Sequence, residues 1–555
     1  SILGFFDKTE ILFNPDSMKQ LHTLDFIVFF FYFIVVAGYG YWIYQRKKSK
    51  ETSTKDFFLA EGSLTWWAIG ASLIASNISA EQFIGMSGNG FSIGLGISTY
   101  EWMAAATLIV VAVFFMPIYL KNHIFTMPQF LNDRYHPAVS LIMAIFWLGL
   151  YILVNLTSIL YLGALAVSGI SGIDFYVCMW GLAIFAIIIT IGGMKVIGFT
   201  DVIQVLFLII GGLATTYLAV NLVSDPSQSI SDSLSGLFEG FKNMRASHDD
   251  HFHMIMSKES PHYFQLPGLS VLVGGMWIVN LNYWGCNQYI TQRALGADLK
   301  TARRGILFAA FLKLLMPVIV TLPGIAAYAL YSKGMFQKEM LGTDGMLNAD
   351  KAYPVLLNLL PAGLKGLSFA ALTAAVVASL AGKAKSISAI FTLDIFKHYF
   401  GKNASEKKLV LIGRIVIVGS MILAIIVSPY MGIDKKGGFQ FIQEMTGLLS
   451  PGILATFLMG FFWKKTNSAG AFFAIVGGFL IALWLNFNMA QIPFLDRMGM
   501  VFLICVAVMF VLGMVMPSHN KGLEIKAEMF KVDRTFGIGM VIVLSLVVAL
   551  YAYFW

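Results

Sequence analysis

Polar and ionisable side chains interrupt an apolar stretch that runs from Ala71 to Ala106. The residues that break its apolar character are Asn77, Ser79, Glu81, Gln82 and Glu101, and five glycines lie among them. An ionisable side chain inside a bilayer costs about 2.5–3.5 kcal/mol. Backbone freed from helical hydrogen bonds persists at that depth only where it faces protein or a water-filled cavity. The pattern therefore predicts a solute site inside a helix bundle.

A second apolar segment, Val271 to Gln292, is interrupted in the same way. It begins with apolar residues and then carries Asn280, Asn282, Gly285, Asn287 and Gln288. Two interrupted segments at corresponding places in two halves of a chain indicate an inverted-repeat transporter with a midplane site. In the alternative interpretation, glycine and asparagine only allow close helix packing.

The composition determines the protein class that must position these side chains. The chain has 555 residues, of which 58% are hydrophobic and 12% charged, whereas a soluble domain carries roughly 25% charged residues. Apolar runs long enough to cross a bilayer recur throughout the chain. About fourteen are predicted, near 25–45, 66–86, 99–120, 139–168, 175–194, 201–223, 266–290, 305–331, 362–396, 409–429, 440–463, 469–488, 496–516 and 535–555. The sequence predicts an all-α integral membrane protein, without a soluble catalytic domain between the spans.

The basic residues indicate orientation in the membrane rather than nucleic-acid binding. The net charge is +8, but the lysines and arginines cluster in short loops such as 46–48, 300–304, 397–408 and 464–465. The opposite loops, near 224–265 and 332–352, are longer and poorer in these residues. By the positive-inside rule the first set is cytoplasmic, so fourteen crossings place both termini outside the cell. The three cysteines lie singly in apolar runs and are interpreted as small core residues.

Long stretches of the chain resemble one transporter family. They are ASLIASNISAEQFIGMSGNGFSIGLGISTYEWM (71–103), GGMKVIGFTDVIQV (192–205), NLNYWGCNQYITQR (280–293), ASLAGKAKSISAIFTLDIFK (378–397) and FQFIQEMTGLLSPGILATFLMGFFWKK (439–465). The family is that of the solute:sodium symporters, in particular the branch of the bacterial sodium/galactose and animal sodium/glucose cotransporters.

The resemblance implies a division of the chain around a core of two inverted five-helix repeats with discontinuous helices. Residues 1–65 would hold an N-terminal segment and the first helix, and 66–223 the first repeat. An extracellular loop, 224–265, would separate it from the second repeat, 266–463, and three helices would follow in 464–555.

The resemblance also implies a sugar site. Its hydrogen-bonding residues would be Gln82, Glu101, Asn280, Lys313 and Gln443. Its apolar walls and gates would be Met86, Tyr100, Tyr283 and Phe439, with Tyr283 stacking on the sugar from the cytoplasmic side. Amides and carboxylates can donate to and accept from sugar hydroxyls, and an aromatic ring suits the apolar face. Ala104 departs from a serine of the galactose symporter, which leaves the preferred sugar open.

Structural alternatives exist for these residues. Glu101 and Lys313 could form a buried ion pair needed only because each is costly alone. Gln82 and Gln443 could bind freed backbone, and Asn280 could cap a broken helix. Tyr283 could be an ordinary core aromatic.

The sodium site implied by the resemblance combines two segments of the chain. Ala75 and Ile78 would contribute from the first interrupted helix, and Ala375, Ala378 and Ser379 from a later one. Carbonyl and hydroxyl oxygens suit a hard cation, although Ala378 lacks a hydroxyl that the family usually has. Asp201 matches an aspartate on the proposed cytoplasmic exit of the ion, and its alternative interpretation is a helix N-cap.

Two lysines stand in the apolar helix that would carry the sodium ligands. Lys383 follows Ser379 by four residues, so the two share a helix face. Its ammonium could replace the cation, extend to the cytoplasmic interface or pair with Asp201, and we favour the pair. Lys385 points elsewhere and is expected to extend to the interface.

These observations predict a secondary transporter in the cell (inner) membrane that takes up a neutral hexose with sodium. Its partners would be a sugar, sodium ions and the lipid bilayer, with neither nucleic acid nor an obligatory protein partner. The same fold could instead carry inositol, another polyol or sialic acid. Because of Lys383, a weakly coupled facilitator or a sugar sensor is a third possibility.

Overall fold

The computed structural model describes residues 21–47, 64–191, 194–224, 234–342, 345–430, 438–516, 518 and 522–555. Residues 192–193 of the second family motif, and parts of the predicted N-terminal segment and extracellular loop, lie outside this described part. Within it the regular structure is helical, apart from one isolated β-bridge between Leu341 and Leu347. The predicted all-α class is confirmed.

Twenty-four α-helices are described. They are α1 (Thr23–Lys47), α2 (Trp66–Asn77), α3 (Ser87–Ser92), α4 (Thr99–Val110), α5 (Met116–Lys121), α6 (Met127–Arg134), α7 (Pro137–Gly149), α8 (Thr157–Ser171), α9 (Phe175–Ile191), α10 (Met194–Ser224), α11 (Leu234–Ser247), α12 (Leu269–Val273), α13 (Gly275–Gly285), α14 (Gln288–Leu295), α15 (Leu299–Ser332), α16 (Ala352–Leu357), α17 (Leu364–Ala389), α18 (Glu406–Val427), α19 (Gly438–Gly447), α20 (Ser450–Phe462), α21 (Ser468–Phe472), α22 (Gly478–Asn488), α23 (Phe494–Val515) and α24 (Arg534–Tyr553).

Several of these helices are continued by wider or tighter turns. Stretches of π-helix span Glu81–Met86, Val111–Phe115, Leu150–Leu156, Ile390–Phe400 and Phe473–Gly477. Short 3₁₀ turns span Leu95–Ser98, Asp249–Phe252, Ala349–Lys351, Ser428–Tyr430 and Ala527–Phe530. Wider turns inside helices are frequent at functional sites, and one of them directly follows the first predicted interruption.

Ten helical segments of the described chain are long and apolar enough to cross a membrane. The number becomes eleven if α19 and α20, which meet at 48°, form one bent span. The other three predicted crossings are the two interrupted segments and α9, which has only 17 residues. The multi-pass membrane architecture is supported, whereas the count of fourteen and the division into two inverted repeats stay predictions.

Both predicted interruptions are present. The first helix segment ends at Asn77, and Ile78 and Ser79 leave the helical path before the turns of Glu81–Met86 begin. The second ends at Gly285 and resumes at Gln288, so the break falls on Cys286 and Asn287. Because α2 packs against α10, α14, α15 and α17, the first break lies in the centre of the bundle.

Glycine allows the closest of the helix contacts around this break. A Cβ atom at Gly324 of α15 would lie 2.0 Å from the carbonyl oxygen of Ser87, which begins α3. No larger residue fits at that distance, so the long helix α15 can run directly against the segment that follows the break. Small residues at helix interfaces are how membrane helices approach closely.

Candidate solute and sodium sites

A buried ion pair lies where α4, α15 and the end of α2 meet. Lys313 Nζ is 2.5 Å from Glu101 Oε2, and the two side chains are 1% and 3% exposed. The same ammonium donates to Asn77 Oδ1 at the C-terminus of α2 and lies 5.2 Å from the centre of the Trp284 ring. The structure therefore brings two predicted sugar-site residues together with Asn77, and the charges of the pair cancel.

Tyr283 connects this cluster to the second break. Its hydroxyl accepts from Asn77 Nδ2 at 3.0 Å and lies 2.6 Å from the hydroxyl of Tyr289. Tyr289 in turn donates to the carbonyl oxygen of Ser76. Tyr289 was not identified from the sequence, although it lies in the same family motif and only six residues after Tyr283.

Two predicted sugar-binding amides contact backbone in this structure. Gln82 Oε1 accepts from the backbone amide of Ser79 at 3.1 Å, and Asn280 Nδ2 donates to the carbonyl of Met276 at 3.1 Å. Both side chains are buried. Gln82 thus satisfies an amide that the break frees, and Asn280 bonds one turn back along its own helix. The Gln82 contact is that of its structural alternative, whereas Asn280 lies inside the helix Gly275–Gly285 and does not cap it. Solute contact stays a prediction for both residues.

Two of the predicted wall and gate residues, Tyr100 and Phe439, are in contact with each other. The rings of Tyr100 and Phe439 are 5.0 Å apart and perpendicular. A Cβ atom at Gly85 would lie 2.8 Å from Phe439 Cβ, so α19 closes directly onto the turns of Glu81–Met86. Met86 is fully buried there, whereas Gln443, one turn along α19 from Phe439, is half-buried.

The predicted sodium ligands lie at the end of α2, or directly after it, and on α17, and these two helices are in contact. Ser379 Oγ donates to the carbonyl of Ser76 at 3.2 Å. The remaining predicted ligand residues are all buried: Ala75, Ile78, Ala375 and Ala378. The Ser79 amide donates to the side chain of Gln82. It therefore does not donate to the Ala75 carbonyl, as it would in a continuous helix. Freed carbonyls and a serine hydroxyl fit a hard cation such as sodium, with Ala378 adding only its backbone.

Asp201 is part of a polar network beside the sodium-site residues. Its carboxylate accepts from Ser72 Oγ at 2.5 Å. Arg293 Nε donates to the same Ser72 Oγ at 3.1 Å, and Arg293 Nη1 donates to the Tyr289 carbonyl at 2.7 Å. Since α10 begins at Met194, Asp201 lies two turns inside the helix. The N-cap interpretation is therefore wrong, and the role on the ion's exit path stays a prediction.

Lys383 does not pair with Asp201, so that expectation was wrong. Its ammonium lies 3.3 Å from Glu81 Oε1 and 4.9 Å from the centre of the Tyr289 ring. The break after Asn77 places Glu81 opposite this turn of α17, while Asp201 is engaged by Ser72. The interface alternative is also wrong for both lysines, because Lys383 and Lys385 are 2% and 0% exposed.

A further buried carboxylate, Asp350, lies outside the membrane-spanning helices. It belongs to the 3₁₀ turn Ala349–Lys351, and its Oδ2 accepts from the backbone amide of Gly438 at 3.0 Å. Burial raises the pKa of this carboxyl to about 6, against an ordinary value of 3.8. Asp350 therefore connects the turn before α16 to the first residue of α19, the helix that carries Phe439.

Comparison with known proteins places this geometry in context. The model of the "Sodium:solute symporter family" matches residues 57–478. A sodium/glucose cotransporter of Vibrio parahaemolyticus is 45% identical over 545 residues, covering 96% of this chain and 99% of that protein. Human sodium/myo-inositol cotransporter 2 is 34% identical over 480 residues, covering 84% of this chain and 70% of the relative.

A solved structure shares the fold. It is the substrate-bound, outward-open state of a Na⁺-coupled sialic acid symporter, with a TM-score of 0.77. The match covers 90% of this chain and 100% of that protein, at 21% sequence identity. At this identity the likeness concerns the helical architecture.

Proposed function

The chain belongs to the sodium:solute symporter family, and from that premise we propose that it takes up a neutral hexose into the cell, driven by sodium. The hexose would bind beside Glu101, Lys313 and Asn77, and sodium between the end of α2 and α17. Both termini would lie outside the cell, and the protein would transport its solute chemically unchanged.

The observation that carries this proposal is the neutral, hydrogen-bonding cluster around Lys313. Glu101 and Lys313 cancel each other's charge, and Asn77 and Tyr283 add donors and acceptors beside them. A polyhydroxylated neutral solute can exchange hydrogen bonds with such groups without bringing in an unpaired charge. A carboxylate solute would require an additional cation, because an unpaired buried charge is costly.

The path from this cluster to the sodium-site residues supports coupling between solute and ion. It runs from Asn77 through the hydroxyls of Tyr283 and Tyr289 to the Ser76 carbonyl, which also accepts from Ser379. Sodium can drive transport only if it favours one conformation over another. A change at Ser76 on sodium binding would reach Tyr283, the proposed cytoplasmic gate, through two hydrogen bonds.

Myo-inositol is the second candidate solute. A human cotransporter of that polyol is 34% identical to this chain, and inositol offers the same ring of hydroxyls. A neutral cluster does not by itself distinguish the two solutes. The test must therefore compare them directly.

The proposal is tested by uptake of radiolabelled glucose, galactose and myo-inositol into proteoliposomes containing the purified protein. An inward sodium gradient should accumulate one hexose above its external concentration, and an equal potassium gradient should not. Dissipating the sodium gradient with an ionophore should release the accumulated sugar. Equal uptake in sodium and potassium would show a facilitator, and accumulation of inositol alone would replace the hexose.

A further inference from the structure

The Glu81–Lys383 pair joins the same two elements that the proposed sodium site joins. Glu81 lies two residues beyond the break at Ile78 and Ser79, and Lys383 lies on α17 one turn after Ser379. The backbone amide of Glu81 donates to Ser79 Oγ at 3.2 Å, so a residue of the break fixes the backbone that carries this carboxylate. The chain thus keeps a cation of its own beside the position proposed for sodium.

Tyr289 contacts both this ammonium and an oxygen of the proposed sodium site. Its ring centre is 4.9 Å from Lys383 Nζ, and its hydroxyl donates to the carbonyl of Ser76, which also accepts from Ser379. Cation–π attraction adds to the ion pair in holding the ammonium over the Tyr289 ring. Because Ser379 and Lys383 share a helix face, a released Lys383 side chain could reach toward Ser379.

We propose that Glu81 holds the Lys383 ammonium back from the sodium site, and that this restraint determines the affinity for sodium. This inference rests on the proposed function, since it concerns the same ion. While the pair is intact, its charges cancel. Sodium then interacts with the carbonyl and hydroxyl oxygens of its site without a neighbouring net charge. Without Glu81, an unpaired positive charge lies near the site and repels the ion, because like charges in a partly dry interior interact strongly.

The two single substitutions should therefore act in opposite directions. Glu81→Gln should raise the half-saturating sodium concentration for uptake by about tenfold, equivalent to about 1.4 kcal/mol. Lys383→Met should lower it, because the remaining carboxylate attracts the ion. The double variant should return to within about threefold of the parent, a difference of less than about 1 kcal/mol, since neither charge then remains.

Conservative variants and a control distinguish this role from simple stabilisation. Lys383→Arg keeps the charge and should keep the sodium affinity of the parent. Glu81→Asp keeps the charge but shortens the side chain, and should lie between the parent and Glu81→Gln. Lys385→Met removes another buried ammonium of α17 and should shift sodium affinity less than either single change.

Two measurements report the sodium affinity, and the second of them does not require a sugar. The first is sodium-dependent uptake in proteoliposomes, and the second is the shift in melting temperature that sodium, compared with choline, produces in the detergent-solubilised protein. Opposite shifts with recovery in the double variant support the restraint. Shifts of the same sign, or none in variants that reach the membrane, overturn it. Should Glu81→Gln not fold, an unchanged sodium affinity in Glu81→Asp would overturn it as well.

The two proposals fail differently. If the parent shows no sodium-driven uptake, the proposed function fails, while the melting shift still tests the restraint. If the parent is sodium-driven but the variants do not separate, only the restraint fails.

Discussion

Among the described residues, two lysine–glutamate pairs are buried in the helix bundle, and they are held to different degrees. Lys313 lies 2.5 Å from Glu101, and Asn77 accepts from the same ammonium. Lys383 lies 3.3 Å from Glu81 and rests on the face of Tyr289. Each pair joins a residue of the polar, interrupted stretch 71–106 to a long continuous helix: Glu101 to α15, and Glu81 to α17.

The comparison indicates that the two buried pairs differ in how well the surrounding structure tolerates the loss of one partner. Removing one partner from a buried pair leaves an uncompensated charge. If Lys313 were removed, the carboxylate of Glu101 would be left unpaired, and Asn77 would also lose the ammonium as its donor. In the Lys383 pair the carboxylate is 10% exposed, so a rearrangement costs less there. The first pair should therefore tolerate change least.

The largest effect is expected from Lys313→Met. It leaves the carboxylate of Glu101 buried without its cation, which costs about 3–5 kcal/mol. Uptake should fall by up to about a hundredfold, because a hydrogen bond from a charged donor in the proposed sugar site is worth about 1.5–3 kcal/mol. Both quantities can be followed, as tracer uptake and as the melting temperature in detergent.

The double variant Lys313→Met with Glu101→Gln is the control for this substitution. It removes both charges, so the melting temperature should recover while uptake stays lost. If uptake recovered as well, the pair would only brace the bundle, and the proposed sugar site would lie elsewhere.

A smaller effect is expected from Gln443→Ala, which lies outside both pairs. Gln443 is half-buried on α19, so its loss should leave the melting temperature nearly unchanged. One lost hydrogen bond to a solute is expected to weaken apparent sugar affinity about tenfold. Sugar-concentration curves in the parent and variant measure this, and an unchanged curve would remove Gln443 from the site.

A still smaller effect is expected from Tyr289→Phe, which keeps the ring beside Lys383 but removes the hydroxyl that joins Tyr283 to Ser76. Coupling free energies between sites are about 1–3 kcal/mol. If the hydroxyl carries part of this coupling free energy, its loss should reduce the effect of sodium on the apparent sugar affinity several-fold. The check is the sugar KM at low and high sodium; the same ratio in parent and variant would show that the two sites are coupled by another route.

The smallest effect is expected from a change at Asp350, whose carboxylate accepts from the backbone amide of Gly438 instead of from a lysine. Burial raises the pKa of Asp350 to about 6 from 3.8, so the folded protein binds this proton more tightly than the unfolded chain. The charged form therefore lowers stability above about pH 6, and this penalty decreases as pH falls toward 4. It amounts to no more than about 3 kcal/mol.

Asp350→Asn should remove that penalty while its side-chain oxygen still accepts from Gly438. The variant should melt a few degrees higher than the parent at pH 8, and the difference should shrink at pH 5. Melting curves of both proteins over that range test the prediction, which a pH-independent difference would contradict.

The sequence by itself determined the membrane class, the helical fold and the places where helices break. Helical apolar runs can be recognised locally, because the bilayer excludes every spanning structure that leaves backbone polar groups unsatisfied. Polar residues inside such runs mark breaks for the same reason, and both predicted breaks occurred within their segments, near Asn77 and near Gly285. The family resemblance added the residues of both sites, and the structure places Glu101 and Lys313 in contact.

Only the tertiary structure decided which charged groups are partners. Glu81 and Lys383 are 302 residues apart, and helix periodicity shows which face Lys383 occupies but not which segment faces it. The break after Asn77 redirects Glu81 toward α17, while Ser72 engages Asp201. The roles of Gln82 and Tyr289 at the freed backbone of Ser79 and Ser76 follow from the same turn of the chain. Partner choice among buried charges depends on these long-range positions, because each charge must be compensated by whichever group the folded chain brings within reach.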